Sequence, residues 1–464
     1  MKNRLIIDND GSNYFLYSLN VQNYADEIIN EVNDIPECVT TVALCPGAGT
    51  FWYPTQIGKV NVKAFELKKL LDRKIDPFRL YLETLKKSGK EVFITIRMND
   101  VHTPQLVNDG NVPVIREKYP NITVEENPCP DEWMDYCLDY SLSEVRTYMF
   151  GIIKELYELY GEIIDGIILD WMRFPRFLSG LPENRWEKHV FLNDFISQVR
   201  KLTKGIELGA RIPAILSGAK FIGLNLEYCF ENELFDFIIG CPFLTSDFYI
   251  NTVDFKKLMK KQIPVYGGCD IGHTPQRHCP ESLRGIAVGM YESGCDGLYL
   301  FNFPCWREYL GCIPWHWLSS IKSYEEAQNG PLLVSVPHKL YRKEGIDRAG
   351  ILPLELSPEQ SIDLEVILPS ITPEAKKTMC LIHSCDDVEL DINGQKTSLM
   401  PERNEALFVE YTDQRQWKKF RPGMGETRIF RIPKASSGTN LLTIKNRSKN
   451  NIHIERINFG IWPV

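Results

Sequence analysis

Glu162-Ile-Ile-Asp-Gly-Ile-Ile-Leu-Asp-Trp-Met-Arg-Phe-Pro175 is an apolar run that ends abruptly in a carboxylate, an aromatic ring and a cation. It reads as a buried parallel strand that delivers Asp170 to a rim. Side chains alternate along a strand, so Ile167 and Leu169 point one way while Gly166, Ile168 and Asp170 point the other. One face can pack helices while the other presents an acid, which suits the C-terminal end of a barrel strand. The plainer alternative is that Asp170 caps the turn that follows it, or pairs with Arg173.

Outward from this stretch, eight apolar segments recur, each followed by material able to form a helix: 5–7, 41–45, 91–97, 166–170, 206–211, 235–240, 263–267 and 297–301. Strands alternating with helices call for parallel pairing, and eight such units close into a (β/α)8 TIM barrel. Helices are expected at 24–32, 77–87, 141–160, 185–202, 252–260 and 280–292. Asp76-Pro77 offers an N-cap with proline in the first turn, and Ser141-Leu-Ser-Glu144 has a capping-box pattern. Ser88-Gly89 and Tyr160-Gly161 put glycine where a left-handed C-cap is wanted.

Two connections, 46–75 and 98–140, are far longer than usual and are expected to shape a pocket. The first begins Pro46-Gly-Ala-Gly-Thr-Phe-Trp-Tyr53, small residues followed by an aromatic platform that includes Trp52. Beyond residue 325 helical periodicity fades. Short alternating runs at 362–367, 379–383, 388–392, 427–432, 441–445 and 452–459 are divided by turn signals such as Asn393-Gly394. The expected organisation is a catalytic barrel at 1–325 and an antiparallel β-sandwich at 326–464 that binds glycans or braces the barrel.

The net charge of -8 comes from 53 basic and 61 acidic residues spread without long blocks, so neither nucleic acid nor an anionic membrane is an expected partner. No apolar run approaches the ~18–20 residues of a spanning helix. The N-terminus turns polar too early for a signal peptide, which points to the cytoplasm, or to a secreted or periplasmic protein if a leader has been removed. Thirteen cysteines without a C-x-x-C pair fit reduced thiols rather than a disulfide framework or a structural zinc site. No metal or cofactor is expected, and oligomeric state is left open.

If the barrel forms, chemistry belongs at the C-terminal strand ends. The polar residues there are Asp8 and Asp10; Arg97, Asn99, Asp100 and His102; Asp170 and Arg173; Arg211; Asp247; Asp270 and His273; and Asn302. Alternation turns Thr95, Arg97 and Asn99 inward on the third strand, and Gly209 and Arg211 inward on the fifth. Two inward arginines beside Asp170 would favour its ionised form, and they hint at an acidic or sulfated sugar. The alternative for them is an ion-pair girdle. Carboxylates, arginines, Asn and aromatic faces such as Trp52 and Trp171 are what sugar chemistry asks for. Glycoside hydrolysis needs two carboxyl groups, about 5–5.5 Å apart for retention or ~6.5–9.5 Å for inversion. Asp170 is the first candidate, with Asp270 or Asp247 as its partner and Asp100 and Glu227 in reserve.

Asp165-Gly-Ile-Ile-Leu-Asp-Trp-Met-Arg-Phe-Pro175 resembles the fourth-strand motif of bacterial glycoside hydrolase-like TIM-barrel proteins, in which an Asp precedes an aromatic and an Arg-(Phe/Tyr)-Pro. Ile96-Arg-Met-Asn-Asp-Val-His102 is similar to their Arg-Met-Asn-Asp-x-His signature, and residues 223–239 are similar to their fifth-helix and sixth-strand region. The likeness covers roughly residues 1–320. It implies a glycosidase barrel acting on a carbohydrate, with Asp170 in the site and Arg97, Asn99, Asp100 and His102 lining it. Asn225 and Cys229 stand where those proteins usually carry Asp and Trp, so no catalytic role is transferred to that loop.

Three rivals remain. A metal-dependent barrel hydrolase would gather Asp8, Asp10, His102, His273 and His278 around an ion, yet Leu5-Ile-Ile-Asp-Asn-Asp10 lacks the paired histidines common to such sites. Gly267-Gly-Cys-Asp-Ile-Gly272 resembles a phosphate cradle, but its acid repels phosphate. A catalytically silent glycan-binding barrel is the rival from a different class.

Overall fold

The computed structural model describes residues 2–100, 110–124, 136–180, 182–243, 247–270, 279–307, 311–338, 345–347, 350–371, 377–384, 388–399 and 427–462. His102, His273 and His278 lie outside the described residues.

Eight parallel strands close into a barrel: β1 (Leu5–Asn9), β2 (Thr41–Leu44), β3 (Glu91–Arg97), β4 (Gly166–Asp170), β5 (Glu207–Pro213), β6 (Phe237–Cys241), β7 (Val265–Cys269) and β8 (Gly297–Leu300). They pair in sequence order, and β8 returns to β1 through Leu5–Leu298 and Ile7–Leu300. The helices outside include α1 (Tyr24–Asn33), α2 (Phe65–Asp72), α3 (Pro77–Lys87), α4 (Val114–Lys118), α5 (Ser143–Tyr160), α6 (Pro182–Glu187), α7 (His189–Leu202), α8 (Leu216–Phe221), α9 (Leu226–Glu231), α10 (Thr252–Leu258) and α11 (Pro280–Glu292). Asp76 does cap α3, its side chain accepting from Arg79 N with Pro77 in the first turn. Gly89 has φ 82°, as a left-handed stop requires.

Three local expectations fail. The helix after the third strand starts at Ser143 with Leu142 as its N-cap and no capping side chain, because Ser141 N–H is instead taken by Asp139 Oδ1. Gly161 remains right-handed at φ -58°, its N–H continuing the helical pattern to Tyr157 O. The helix expected at 185–202 is broken into α6 and α7.

Register and the period of two assign the barrel interior level by level, stepping up about one residue per strand, the stagger of an eight-stranded barrel with shear 8. At the floor stand Arg4, Glu91 and Glu207. One level near the top holds Asp8, Thr95, Arg211 and Gly268; the next holds Cys45, Asp170, Cys241 and Phe301; the rim holds Asp10, Arg97, Pro213 and Asp270. Large side chains fill the lower interior where a facing strand carries glycine. A Cβ on Gly209 would sit 2.2 Å from Phe237 Cζ, so only glycine admits that ring. Arg4 is sealed in by Glu91, Glu207 and the Tyr266 hydroxyl, and it lies 5.2 Å from the centroids of both Phe93 and Phe237.

After the barrel the chain forms two antiparallel sheets. One runs in the order Leu332–Ser335, Ile452–Trp462, Lys377–Ser384, Thr427–Arg431, Ser398–Leu399, with Leu354–Leu356 beside the long Ile452–Trp462 strand. The other runs Ser361–Leu368, Gly438–Asn446, Val388–Ile392, Gln395–Lys396. Alternation puts Leu364, Val366, Leu368, Leu390, Ile392, Leu442 and Ile444 into the core. Asn393 and Gly394, with φ 51° and 78°, make the tight hairpin their sequence announced. These sheets press on the barrel at α11, where a Cβ on Gly285 would lie 2.3 Å from Leu333 O.

Candidate active site

Asp170 is the last residue of β4, and its neighbours explain why the chain can bury it at 1% exposure. Arg211, one strand over and wholly buried, donates from Nη1 to Asp170 Oδ1 at 3.1 Å and to Oδ2 at 3.0 Å. The backbone N–H groups of Met172 and Arg173 reach Oδ1 at 2.8 and 3.1 Å. Asp170 thus does cap its turn, but its ionic partner is Arg211, not Arg173. Oδ1 is saturated, whereas Oδ2 accepts from Arg211 alone among the described residues, which leaves it an acceptor direction for a substrate atom.

Arg211 is held flat by its surroundings. Its guanidinium carbon sits 3.9 Å from the Phe301 ring centroid, and Nη2 donates to Cys241 Sγ at 3.3 Å. Arg97 and Arg173 approach the same ring at 5.9 and 5.8 Å, so Phe301 gathers the three cations that surround Asp170. Arg97 also pairs with Asp10 at 3.7 Å and Asp100 at 3.4 Å, and donates to Asn302 Oδ1 at 3.2 Å. Burial depresses the Arg173 guanidinium, nearby Arg97 adds to this, and Asp100, Asp170 and Asp270 oppose it, which places those three carboxylates around one side chain. Asp270 itself is fully buried at the end of β7.

One level below, Asp8 is pushed up to about 6, first by burial, with Arg97 opposing and the charge of Asp170 adding to the rise. The two thiols of the upper level are held neutral: burial pushes Cys45 up to about 12 and Cys241 up to about 11. Both thiols therefore favour the protonated form at neutral pH.

Of the residues expected at the site, Asp170, Asp270, Arg97, Asp100, Arg173, Arg211 and Asn302 are brought together. Four described candidates are not. Asp247 lines a cavity of ≈ 210 Å³ with Phe248, Val334, Pro337, Glu365 and Thr439, between the loop after β6 and the C-terminal sheets. Trp171 continues the outward set Ile167, Leu169, and packs against Phe177 at 5.0 Å and Tyr140 at 5.9 Å, with no exposure. Trp52 is also buried: its Nε1 donates to Asp10 O at 3.0 Å and its ring stacks on Phe15, so it braces the first loop rather than offering a platform. Asn99 spends its amide on backbone, donating to Arg176 O and accepting from Leu138 N, because the strand ends at Arg97 and alternation ends with it. His102 lies outside the described residues.

Sequence reasoning placed Asp8 at the strand ends and among the ligands of the metal-dependent rival, but gave it no part in sugar chemistry. Counting by two from Arg4 through Ile6 would have pointed it inward, but its proximity to Arg211 depends on register across several strands. Among the described residues the inward arginines do not stand alone: Asp8, Asp10, Asp100, Asp170 and Asp270 lie among Arg97, Arg173 and Arg211.

No family model and no curated sequence matches the chain. Solved structures similar in fold include α-L-fucosidase isoenzyme 2 from Paenibacillus thiaminolyticus, at 11% identity and TM-score 0.44 over 72% of this chain and 52% of that one. The PgaB (BpsB) glycoside hydrolase domain from Bordetella bronchiseptica is 13% identical, TM-score 0.40, over 64% of this chain and 94% of that one. An α-galactosidase from Thermus thermophilus is 11% identical, TM-score 0.38, over 65% and 58%. The chain thus spans about half of the first of these and under two thirds of the last.

Proposed function

We propose that this chain is a glycoside hydrolase acting on an uncharged carbohydrate, with Asp170 as the carboxylate that attacks the anomeric carbon or activates water and Asp270 as the proton donor. The observation that carries this reading is Asp170 itself: a carboxylate at a barrel strand's C-terminal end, fixed by Arg211 and two backbone N–H groups, with Oδ2 accepting from Arg211 alone among the described residues and Asp270 near the same Arg173. Arg97, Arg173, Asp100 and Asn302 are assigned to the sugar hydroxyls. Arg211 lends positive charge to the carboxylate and orients it, as a preorganised group should.

The test is release of sugar from aryl glycosides and a panel of neutral polysaccharides by wild type, Asp170→Asn and Asp270→Asn. Loss of a proton-transfer group costs about 10²–10⁴ in rate, and for Asp270→Asn the loss should shrink on aryl glycosides whose leaving group needs no proton. Asp170→Asn should be inactive on both. Equal rates in wild type and Asp170→Asn would remove that residue from the mechanism. Binding without cleavage by wild type would establish the glycan-binding alternative, for which Asp170 is only half of a buried ion pair.

A further inference from the structure

Asp8 stands one level beneath Asp170 and is 1% exposed. Its Oδ1 accepts the backbone N–H of Asn302 at 3.3 Å. Asn302 holds φ 47°, a left-handed conformation that a non-glycine residue keeps only where its surroundings fix it. That conformation carries the Asn302 side chain to Arg97, which donates to its Oδ1 at 3.2 Å. On the other side Asp8 shares its level with Arg211, the counter-ion of Asp170. The groups facing Asp8 are Arg97 from β3, Asp170 from β4, Arg211 from β5, the Tyr299 hydroxyl from β8 and the Cys45 thiol after β2.

We propose that Asp8 is a positioning residue of this site: through Asn302 it holds Arg97 at the mouth, and through its charge it sets how tightly Arg211 is held against Asp170. The proposal rests on the glycosidase reading for its kinetic consequence and on geometry alone for its structural one. Ionised Asp8 competes with Asp170 for Arg211 and draws on Arg97; protonated Asp8 leaves Arg211 wholly to Asp170. Because burial brings its titration up to about 6, the balance changes around that pH.

Four variants test it: Asp8→Asn, which keeps the acceptor for Asn302 N–H but no charge; Asp8→Ala, which keeps neither; Asn302→Gly, which keeps the backbone; and Asn302→Ala. Each is crystallised, and its kcat/KM is followed from pH 4.5 to 8.5 on whichever aryl glycoside the wild type cleaves. The expected structures show Arg97 displaced from the mouth in Asp8→Ala and Asn302→Ala and in place in Asp8→Asn. The expected kinetics are a tenfold or greater loss for Asp8→Ala, rescue by Asp8→Asn, and disappearance from Asp8→Asn of the wild-type inflection near pH 6. If the wild type cleaves no glycoside, the functional reading fails while the crystal structures still decide the positioning. Arg97 unmoved in Asp8→Ala overturns the proposal, as does an inflection near pH 6 that persists in Asp8→Asn.

Discussion

Asp170→Asn is the substitution most exposed to misreading, since it removes half of a buried ion pair as well as the proposed reactive group. At 3.0 Å and an effective dielectric constant of about 20, the attraction between Arg211 and Asp170 is about 5 kcal/mol before the cost of burying either charge is set against it. Asparagine keeps an oxygen for the Met172 and Arg173 N–H groups, so the turn survives. Arg211, with no exposure of its own, then retains Cys241 Sγ and the nearby Asp8 as partners. Removal of one member of a buried pair typically costs about 3–5 kcal/mol, and partial replacement by Asp8 places the expected loss near the lower end, about 3 kcal/mol.

Arg211→Met should cost a similar amount by stranding Asp170, whereas the double variant should be less destabilised than the sum of the two, with a coupling of about 2 kcal/mol or more. Urea unfolding followed by tryptophan fluorescence and by circular dichroism measures all three, and activity assays on Asp170→Asn should be run well below its unfolding midpoint. Single variants within about 0.5 kcal/mol of wild type, or strictly additive effects, would refute the view that these two side chains depend on each other.

Two further outcomes follow from the same geometry. Asp8 is raised from 3.8 to about 6 in the folded protein, so it binds its proton more tightly folded than unfolded; its contribution is full below about pH 4 and is lost as pH rises through 6. About two pH units at 1.36 kcal/mol each give a decline of about 3 kcal/mol, and a urea midpoint measured from pH 4 to 7.5 should lose that slope in Asp8→Asn. Gly285→Ala should destabilise the protein by about 1–3 kcal/mol, because a Cβ there must push back Leu333 O, 2.3 Å away, and so wedge the C-terminal sheets from α11; calorimetry would show it.

How much of this was legible depends on range along the chain. Barrel strands such as 91–97 and 166–170 were readable to the residue, because a fully buried parallel strand is an unbroken apolar run with caps on either side. Period two also gave Arg97 and Arg211 their inward direction. The same rule, extended one residue past Asp170, would have turned Trp171 outward, and chemical attractiveness obscured that signal. Asp247 failed for a different reason. Its place follows strand six, yet its cavity is completed by Val334, Glu365 and Thr439, roughly 90 to 190 residues further on, and no local pattern encodes that contact. Asn99 failed because period two holds only while the backbone stays extended, and β3 ends two residues before it.

The barrel buries an arginine at each end, and the contrast between them separates stability from function. At the floor every nitrogen of the Arg4 guanidinium has a partner: Nε and Nη2 reach Glu91, Nη1 and Nη2 reach Glu207, and Nη1 also reaches the Tyr266 hydroxyl. Glu91 is held down to about 2 against the opposing effect of burial, chiefly by Arg4 and Lys2. That is how a polar cluster behaves when its task is to close a core. Near the mouth the polar groups are less fully satisfied: among the described residues Arg211 Nε and Thr95 Oγ1 are buried without a hydrogen-bond partner, and the Asp8 carboxylate and the Tyr299 hydroxyl rest on each other. An orphaned buried polar atom costs about 1–3 kcal/mol, so this part of the interior favours folding less than the floor cluster does. The levels between floor and mouth carry a mixture of aliphatic and aromatic side chains instead, among them Ile6, Phe93, Ile168, Phe237, Ile239 and Tyr266. The unsatisfied polarity lies beneath Asp170, near the C-terminal strand ends where barrel enzymes do their chemistry, and it agrees with the site proposed above.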